Sequence, residues 1–430
     1  MDTDSADEPA VTLADVEAAA ERLAAVPEIE ETPVVESATL GRETGADVRL
    51  KFEHLQKTGS FKPRGAYNTV AQLVASDEAV DRVVAASAGN HAQGVAFAAT
   101  ELGVDSLVVM PETAPQAKVD ATRGYGARVE QVGETFAAAM DAAREATDDP
   151  GTAFVHAYDD PAVVAGQGTI GLELADQVPE ADTVVVPIGG GGLISGVATA
   201  LAELDADTRV VGVQAEGAAT VPDSLAKGHP VDMPDPDTIA DGIATGGISA
   251  LTYGLIDRYV DEVVTVSDTE IATATLFLLE RTKQLVEGAA ATSVAALLSG
   301  TLSVAPDETV VPLLCGGNVD TATLQDVLTR ALVDRQQFVT LRVRIDDQPG
   351  VLGEIAEIVG EYDTNIRSVR HDRSEAGLPV GKADLVFRVT VPGAAALDGV
   401  VGGVEDAGYE VRRVVPEAAA PDGVGEAGED

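Results

Sequence analysis

Short apolar runs alternate with stretches of helical periodicity through most of the chain. Residues 12–25 carry apolar side chains at helical spacing, with Asp15 and Glu17 in the first turn, and predict a helix. The apolar runs that follow are rich in β-branched residues and lack strict polar alternation, which is typical of parallel strands covered on both faces. Because they alternate with helical segments, the pattern predicts open twisted α/β sheets. The predicted strands are 83–86, 107–110, 127–132, 153–156, 183–188, 210–215 and 311–314.

The pattern changes shortly before Phe338. From there an alternating strand, a polar turn, two helices and three further strands follow in βαββαβ order, which predicts an α+β domain of the ferredoxin type. We therefore expect a first region at 1–330, a linker at 331–337 and a second domain at 338–416. The segment 417–430 is acidic, has almost no large side chains and is predicted to be disordered. The predicted helices of the second domain are 351–359 and 394–407, and its later strands are 365–370, 384–391 and 410–415.

Composition narrows the classes of function. The 430-residue chain is 45% hydrophobic, enough to fill more than one core. Its 28 basic and 72 acidic residues give a formal net charge of −44, which repels phosphate backbones and anionic lipids. We therefore expect no nucleic-acid partner and no membrane partner. Scarce lysine with high acidity is typical of halophilic proteins, since molar salt shortens the Debye length to roughly 3 Å and screens the repulsion.

Cysteine usage and the N-terminal sequence indicate where the protein works. Cys315 is the only cysteine, so no intrachain disulfide can form, which suits a reducing compartment. The N-terminus, MDTDSADEP, is acidic and lacks the basic start and apolar core of a signal peptide. No apolar run reaches about 18 residues, the length that a membrane span needs. We expect a cytoplasmic protein.

Lys62 lies in a segment of mixed polarity, EHLQKTGSFKPRGAY (53–67). A lysine in such a segment is most often a solvated surface residue. Three neighbours of this lysine, Lys62, favour a special role. Phe61 can cover an aromatic ligand, Ser60 offers a hydroxyl, and Pro63 fixes the entry into a helix. A buried lysine beside apolar groups has a lowered pKa, which imine chemistry with an aldehyde requires.

Four consecutive glycines, residues 189–192, separate a predicted strand from a predicted helix. Backbone N–H groups of such a loop converge on an anion, and the positive end of the helix adds to the attraction. A flexible turn is the plain alternative, although turns seldom need four glycines between a strand and a helix. A dinucleotide site requires G-x-G-x-x-G, and Ser195 occupies the third glycine position. The loop therefore favours a phosphate group.

Four segments carry a resemblance to a known family: TGSFKPRGA (58–66), SAGNHAQG (87–94), PIGGGGLISG (187–196) and LLCGGNVD (313–320). Together they resemble the fold-type II pyridoxal-phosphate enzymes, specifically the threonine and serine dehydratases. The segments occur in the family's order, and the resemblance covers roughly residues 12–325. It implies two open twisted α/β sheets, with a small subdomain at about 53–150 inserted in a larger one.

The resemblance assigns roles to individual residues. It implies that Lys62 is the catalytic residue and binds pyridoxal 5'-phosphate through its amine. A neutral Cys315 at the pyridine nitrogen makes the ring a weaker electron sink and favours prompt β-elimination. The implied cofactor-binding residues are Phe61, Lys62, Asn90, Gly189, Gly190, Gly191, Gly192, Leu193 and Cys315. The implied substrate-binding residues are Ser60, Ser87, Ala88, Gly89 and His91, and His91 has no assigned proton-transfer role.

Two acidic residues also lie in segments that match the family. Glu287 is either a hydrogen-bond partner near the cofactor or a solvated carboxylate at a helix end. Glu216 lies where relatives bind a structural cation, monovalent or divalent, but companion ligands are not evident in the sequence.

The activity that the resemblance implies is deamination of L-threonine to 2-oxobutanoate and ammonia. Serine racemases of this fold carry a serine at the position of Ala88, which acts as their second acid–base group, so a dehydratase is favoured over a racemase-like enzyme. Threonine is less strongly distinguished from serine, because one methyl group changes discrimination by about 1–3 kcal/mol. An L-serine dehydratase stays an alternative. A non-enzymatic amino-acid sensor is disfavoured by the intact Lys62 and Asn90.

The second domain resembles the ACT domains, which bind amino acids. Its DQPG turn precedes a helix, and free N–H groups at a helix start can bind a small zwitterion. The resemblance implies that two such domains pair, hence a homo-oligomer (dimer or tetramer), with isoleucine as an inhibitor or valine as its antagonist. A plain dimerisation module is the alternative. The implied effector-binding residues are Asp347, Pro349, Gly350, Val351, Leu352, Asn365 and Ile366.

Overall fold

Strands and helices alternate along the part of the chain that the computed structural model describes, residues 9–77, 79–373 and 378–414. These residues fall into two compact units that divide between Val327 and Leu328. The strands are β1 (Val34–Glu36), β2 (Asp47–Lys51), β3 (Arg82–Ala86), β4 (Asp105–Met110), β5 (Arg128–Gln131), β6 (Thr152–Phe154), β7 (Thr183–Pro187), β8 (Arg209–Ala215), β9 (Glu262–Val266), β10 (Thr309–Pro312), β11 (Phe338–Asp346), β12 (Asn365–Asp372), β13 (Lys382–Thr390) and β14 (Glu410–Val414).

Helices connect most of these strands. The predicted N-terminal helix is present, and Thr12 caps it by a reciprocal pair of hydrogen bonds with Asp15. The helices are α1 (Leu13–Leu23), α2 (Ala38–Thr44), α3 (Lys62–Ala75), α4 (Asn90–Leu102), α5 (Gln116–Gly124), α6 (Phe136–Glu145), α7 (Pro161–Gln177), α8 (Gly192–Glu203), α9 (Val221–Lys227), α10 (Ala250–Tyr259), α11 (Asp268–Phe277), α12 (Gly288–Leu298), α13 (Thr321–Asp334), α14 (Val351–Glu361) and α15 (Ala394–Asp406). Among the described residues, no helix is both long and apolar enough to cross a membrane.

The larger sheet of the first unit has the strand order β1-β2-β10-β7-β8-β9. β1 and β2 are antiparallel, and every other neighbouring pair is parallel. All residues of β7 and β10 are buried, as expected for parallel strands covered on both faces. The apolar pattern does not predict β1, β2 or β9. β1 has only three residues, β2 mixes apolar with charged residues, and most of β9 is only half-buried.

The smaller sheet of the first unit has the order β5-β4-β3-β6 and is parallel throughout. Its last strand, β6, lies just past residue 150, the predicted limit of the small subdomain. The two α/β sheets that the sequence predicts are therefore confirmed.

Four chain segments leave the carboxyl ends of parallel strands in these two sheets. β3 leads into the loop at 87–89, β6 into residues 155–158, β7 into the four glycines, and β10 into Leu313–Cys315. Ligands of open α/β sheets bind outside the carboxyl ends of the strands. These segments are therefore the expected place for a site.

The second unit contains β11, α14, β12, β13, α15 and β14, which confirms the predicted βαββαβ order. Its antiparallel sheet has the strand order β12-β13-β11-β14 and carries a separate core that includes Ile355, Phe387 and Val400. Helix α13 continues to Asp334, so residues 331–334 of the segment assigned to a linker are helical. The tail predicted to be disordered, 417–430, lies outside the described residues.

Candidate active site

Lys62 is the first residue of helix α3, with Pro63 directly after it. Its Nζ donates a hydrogen bond to the carbonyl oxygen of Ala157 over 3.1 Å and lies 4.9 Å from the centre of the Phe61 ring. Burial lowers the pKa of Lys62 to about 8, although Cys315 and Glu287 act in the opposite direction. A large fraction of this amine is therefore neutral near pH 8, as nucleophilic chemistry requires.

The chain reaches Lys62 through two left-handed residues, Thr58 (φ 66°) and Gly59 (φ 73°). A β-branched residue rarely adopts this conformation, so the turn is held by its surroundings. Ser60 then pairs with Gly316 in an isolated antiparallel bridge, and the N–H of Phe61 donates to the carbonyl of Cys315 over 3.2 Å. These contacts place the segment that carries Lys62 beside LLCGGNVD (313–320), the segment that carries Cys315.

The glycine loop has no room for side chains. A Cβ atom on Gly190 would lie 2.2 Å from the ring of Tyr158, and one on Gly192 would lie 2.9 Å from its Cβ. Gly191 has a φ of 89°, which favours glycine, and helix α8 begins directly after it. Bare backbone at a helix start is a binding site for an anionic group. The loop therefore fits a phosphate, as the sequence predicts.

A hydrogen-bonded chain of three side chains joins the Asn90 loop to two distant segments. The Nδ2 of Asn90 donates to both carboxylate oxygens of Glu287, over 2.9 and 3.1 Å. The Nδ2 of Asn318 donates to Asn90 Oδ1 over 2.9 Å and to the carbonyl of Thr58 over 2.5 Å. The structure thus places Glu287 against Asn90, as a hydrogen-bond partner. Sequence reasoning missed Asn318, although it lies within the matched segment LLCGGNVD.

Burial favours the neutral form of three other ionisable side chains in the site, those of Glu287, Cys315 and His91. Burial raises the pKa of Glu287 to about 7, although the bond from Asn90 opposes the shift. Burial also raises the pKa of the Cys315 thiol well above its usual value. The pKa of His91 falls to about 3, first because of burial and then because of Lys62, and its Nε2 donates to the carbonyl of Val155 over 2.9 Å. A neutral thiol is what the sequence interpretation of Cys315 expects, and the His91 ring is neutral near pH 7 with its proton on Nε2.

The predicted substrate-binding residues lie around the same region. Ser87, Ala88 and Gly89 form the turn between β3 and α4, where the N–H of Gly89 donates to Ser87 Oγ over 3.1 Å. Ser60 is fully buried, and its Oγ has no hydrogen-bond partner among the described residues, so it is available to a ligand. Ala88 and Gly89 also border a cavity of about 260 Å³, and the described residues that line it include the cationic Lys118.

The predicted cation site at Glu216 is not supported by a cluster of ligating side chains among the described residues. Glu216 is exposed and begins a single 3-10 turn after β8. In the described ranges, no group of three or more His, Cys, Asp or Glu residues could hold a metal ion. The cation stays a prediction of the sequence resemblance.

The predicted effector residues lie in the second unit at a loop and two element starts. Gly350, with a φ of 98°, caps helix α14, which begins with Val351 and the exposed Leu352. Asn365 and Ile366 begin the edge strand β12, and Pro349 lies in the exposed loop. The carboxylate of Asp347 pairs with Arg373 over 2.7 Å and with His371 over 3.2 Å. Asp347 is thus already engaged by two basic side chains of its own unit.

Comparisons with known proteins agree with this geometry. The sequence profile of the family "Pyridoxal-phosphate dependent enzyme" matches residues 26–316, and the ACT domain profile matches residues 339–402. An L-threonine ammonia-lyase of Geobacter sulfurreducens is 43% identical over 384 residues, which are 89% of this chain and 95% of that protein.

Two solved structures show the same fold for the first unit. Threonine deaminase isoform 2 from Solanum lycopersicum is 34% identical, with a TM-score of 0.69 over 75% of this chain and 96% of that one. Maize serine racemase is 33% identical, with a TM-score of 0.69 over 76% of this chain and 99% of that one. The chain therefore belongs to the pyridoxal-phosphate dependent enzymes, and it carries an ACT domain after its catalytic region.

Proposed function

We propose that this protein deaminates L-threonine to 2-oxobutanoate and ammonia with pyridoxal 5'-phosphate as its cofactor. The observation that carries the proposal is the Lys62 amine, which is made partly neutral by burial and lies in one site with a loop of bare backbone. The relative that is 43% identical over 89% of the chain is an L-threonine ammonia-lyase, which favours threonine as the substrate.

The residues present would hold each part of the cofactor. The Lys62 amine would bind the aldehyde, and the backbone of 189–193 would bind the phosphate. Asn90, oriented by Glu287 and Asn318, would meet the ring hydroxyl. The buried Cys315 thiol would lie at the pyridine nitrogen.

When bound, the cofactor supplies an aldehyde for the substrate's amino group and a conjugated ring that withdraws electrons from Cα. Lys62 Nζ, in its neutral form, takes the proton from Cα of the amino acid. Ser60 Oγ, the turn at 87–89 and the backbone N–H of His91 would bind the substrate carboxylate and so orient that proton toward Nζ. Because the Cys315 thiol is neutral, it would not hold the pyridine nitrogen protonated, and the ring would withdraw electrons less strongly. A weaker electron sink favours prompt loss of the β-hydroxyl, which takes up a proton and leaves as water.

Two other activities on the same fold are weaker alternatives. A serine racemase needs an acid–base group on the second face of the substrate, and the methyl group of Ala88 cannot supply one. An L-serine dehydratase differs by one substrate methyl group, so we expect serine as a secondary substrate. A non-enzymatic amino-acid sensor does not require the partly neutral amine of Lys62, whose presence favours an enzyme.

The substrate assignment is tested by initial rates with L-threonine and L-serine in buffers of molar salt, which suit the net charge of −44. We expect 2-oxobutanoate from threonine, with a kcat/KM about 10- to 200-fold above that for serine, and no D-serine by chiral chromatography. A higher kcat/KM for serine would contradict threonine as the preferred substrate. Formation of D-serine would contradict the interpretation that Ala88 excludes racemisation.

The lowered pKa of Lys62 predicts how cofactor capture depends on pH. Since only the neutral amine attacks an aldehyde, we expect the rate at which the cofactor-free protein binds pyridoxal phosphate to rise with pH and to level above about pH 8. Stopped-flow absorbance measures this rate. Nα-acetyl-lysine is the control, because its unburied amine continues to gain reactivity toward about pH 10.4. A protein profile that follows the free amine would show that burial does not act on Lys62.

We also propose that the ACT domain regulates the enzyme by binding a branched-chain amino acid in a cytoplasmic homo-oligomer that serves isoleucine biosynthesis. Among the described residues no side chain caps the start of α14 at Gly350, so the first N–H groups of this helix suit the carboxylate of a small zwitterion.

Isothermal titration calorimetry of the full chain with isoleucine, and separately with valine, tests the regulation. We expect saturable binding of isoleucine and inhibition of threonine turnover, both weakened by Gly350→Val, because valine disfavours a φ of 98°. Absence of any heat with both amino acids would remove the proposal and leave a plain dimerisation module.

A further inference from the structure

Three of the four consecutive residues after strand β6, Val155, Ala157 and Tyr158, contact separate parts of the site. The carbonyl of Val155 accepts the bond from His91 over 2.9 Å, and the carbonyl of Ala157 accepts the bond from Lys62 Nζ over 3.1 Å. The Tyr158 ring lies against Gly190, so closely that a Cβ atom there would be 2.2 Å from it. The path of residues 155–158 therefore fixes the distances between His91, the Lys62 amine and the glycine loop.

The remaining residue of this segment, His156, determines the bend of the backbone. Its Nδ1 accepts hydrogen bonds from two backbone N–H groups, of Tyr158 over 3.2 Å and of Asp159 over 2.7 Å. Its ring also packs edge-on against the Tyr158 ring, with 4.7 Å between the centres. One side chain thus closes the turn that presents the Ala157 carbonyl on one side and the Tyr158 ring on the other.

We propose that His156 is a positioning residue. Its Nδ1 holds the bend at 156–159, so that the carbonyl of Ala157 fixes the Lys62 amine and the ring of Tyr158 packs on the glycine loop.

The protonation state of His156 agrees with this role. A nitrogen that accepts two N–H groups carries no proton, so the ring must be neutral with its proton on Nε2. Burial, as the largest cause, lowers the pKa of His156, with Lys62 and Arg144 acting in the same direction and Asp159 and Asp160 opposing them. The ring is therefore neutral at the pH at which the lysine amine reacts.

A matched pair of substitutions separates the two ring nitrogens. The side-chain oxygen of asparagine takes the position of Nδ1, two bonds beyond Cβ, whereas the amide of glutamine reaches the position of Nε2. His156→Asn keeps an acceptor for the bend, and His156→Gln removes it. His156→Ala removes both.

The proposal rests on cofactor binding by the proposed enzyme but not on threonine as its substrate, so its test omits the substrate. The full-length chain is freed of cofactor, and the dissociation constant for pyridoxal phosphate and the pH midpoint of its capture are measured in each variant, with thermal melting alongside. We expect the dissociation constant of His156→Asn to stay within about threefold of that of the unmodified chain. His156→Gln and His156→Ala should bind on the order of tenfold more weakly, the usual effect of leaving a half-buried N–H without a partner, and should shift the pH midpoint.

Three results would overturn the proposal. Normal binding by His156→Gln with weak binding by His156→Asn would assign the role to Nε2. Normal binding by both would show that neither nitrogen matters. Losses that follow only the fall in melting temperature, with an unchanged pH midpoint, would show a structural role alone. If the unmodified chain itself does not bind pyridoxal phosphate, the proposed function fails instead, and the two failures are thus distinguishable. Should His156→Ala not fold, the Asn–Gln pair decides.

Discussion

Lys62→Ala is expected to abolish threonine turnover and the yellow absorption of the lysine-bound cofactor together. The amine has two roles, as the covalent anchor for the aldehyde and as the base at Cα, and loss of a general base alone lowers rates by about 100- to 10,000-fold. The Lys62 side chain lies against the Phe61 ring and donates to the carbonyl of Ala157, and we expect no other amine to take its place in the variant. Absorption spectra and initial rates of the purified variant check both effects.

Lys57→Ala is the matched control for this experiment. Lys57 precedes Lys62 by five residues and is exposed. Its Nζ lies 5.8 Å from the centre of the Phe97 ring, outside the hydrogen-bonded groups of the site. We expect its spectrum and kcat to match those of the unmodified protein. If Lys62→Ala kept either the yellow band or turnover, the assignment of Lys62 would be wrong.

Arg64→Leu is expected to destabilise the first unit by about 3–5 kcal/mol, because it leaves the buried carboxylate of Glu53 without its cation. Arg64 is 2% exposed and binds two carboxylates, each through two hydrogen bonds: Glu53 at 2.9 and 2.9 Å, and Glu173 at 2.5 and 3.0 Å. Glu53 is fully buried, and Lys51 also binds Glu173, over 2.5 Å. The four side chains form one largely buried cluster of two basic and two acidic residues, which joins the segment 51–64 to helix α7.

Denaturant unfolding at constant salt measures the loss, followed by circular dichroism because the chain has no tryptophan. Arg64→Lys keeps the charge but loses the two-pronged geometry, so we expect an intermediate effect. The control is Arg49→Leu, since Arg49 pairs with Asp47 and Glu180 on a more exposed surface and should change stability by only about 0–1 kcal/mol. Equal midpoints for Arg64→Leu and Arg49→Leu would contradict a stabilising role for the cluster.

The sequence by itself determined most of the buried elements and the chemistry of the main ligands. Apolar runs without alternation predicted the buried strands such as β7 and β10, because parallel strands are covered on both faces. The glycine loop was evident because four adjacent residues without side chains have few structural explanations. Lys62 was assigned from a short segment and its family resemblance, and the partly neutral amine expected there is present.

Only the tertiary structure decided which distant residues meet. Glu53 and Glu173 are two of 72 acidic residues, and nothing in their local sequence separates a buried ion pair from a solvated carboxylate. The bonds from Asn318 to Asn90, and from Lys62 to the carbonyl of Ala157, join residues that lie far apart in the chain. Periodicity and turn signals report the local environment of each residue, whereas these contacts arise when the carboxyl ends of separate strands come together. For that reason the ligand class could be read from the residues, but the partners that orient Lys62 and Asn90 required the folded chain.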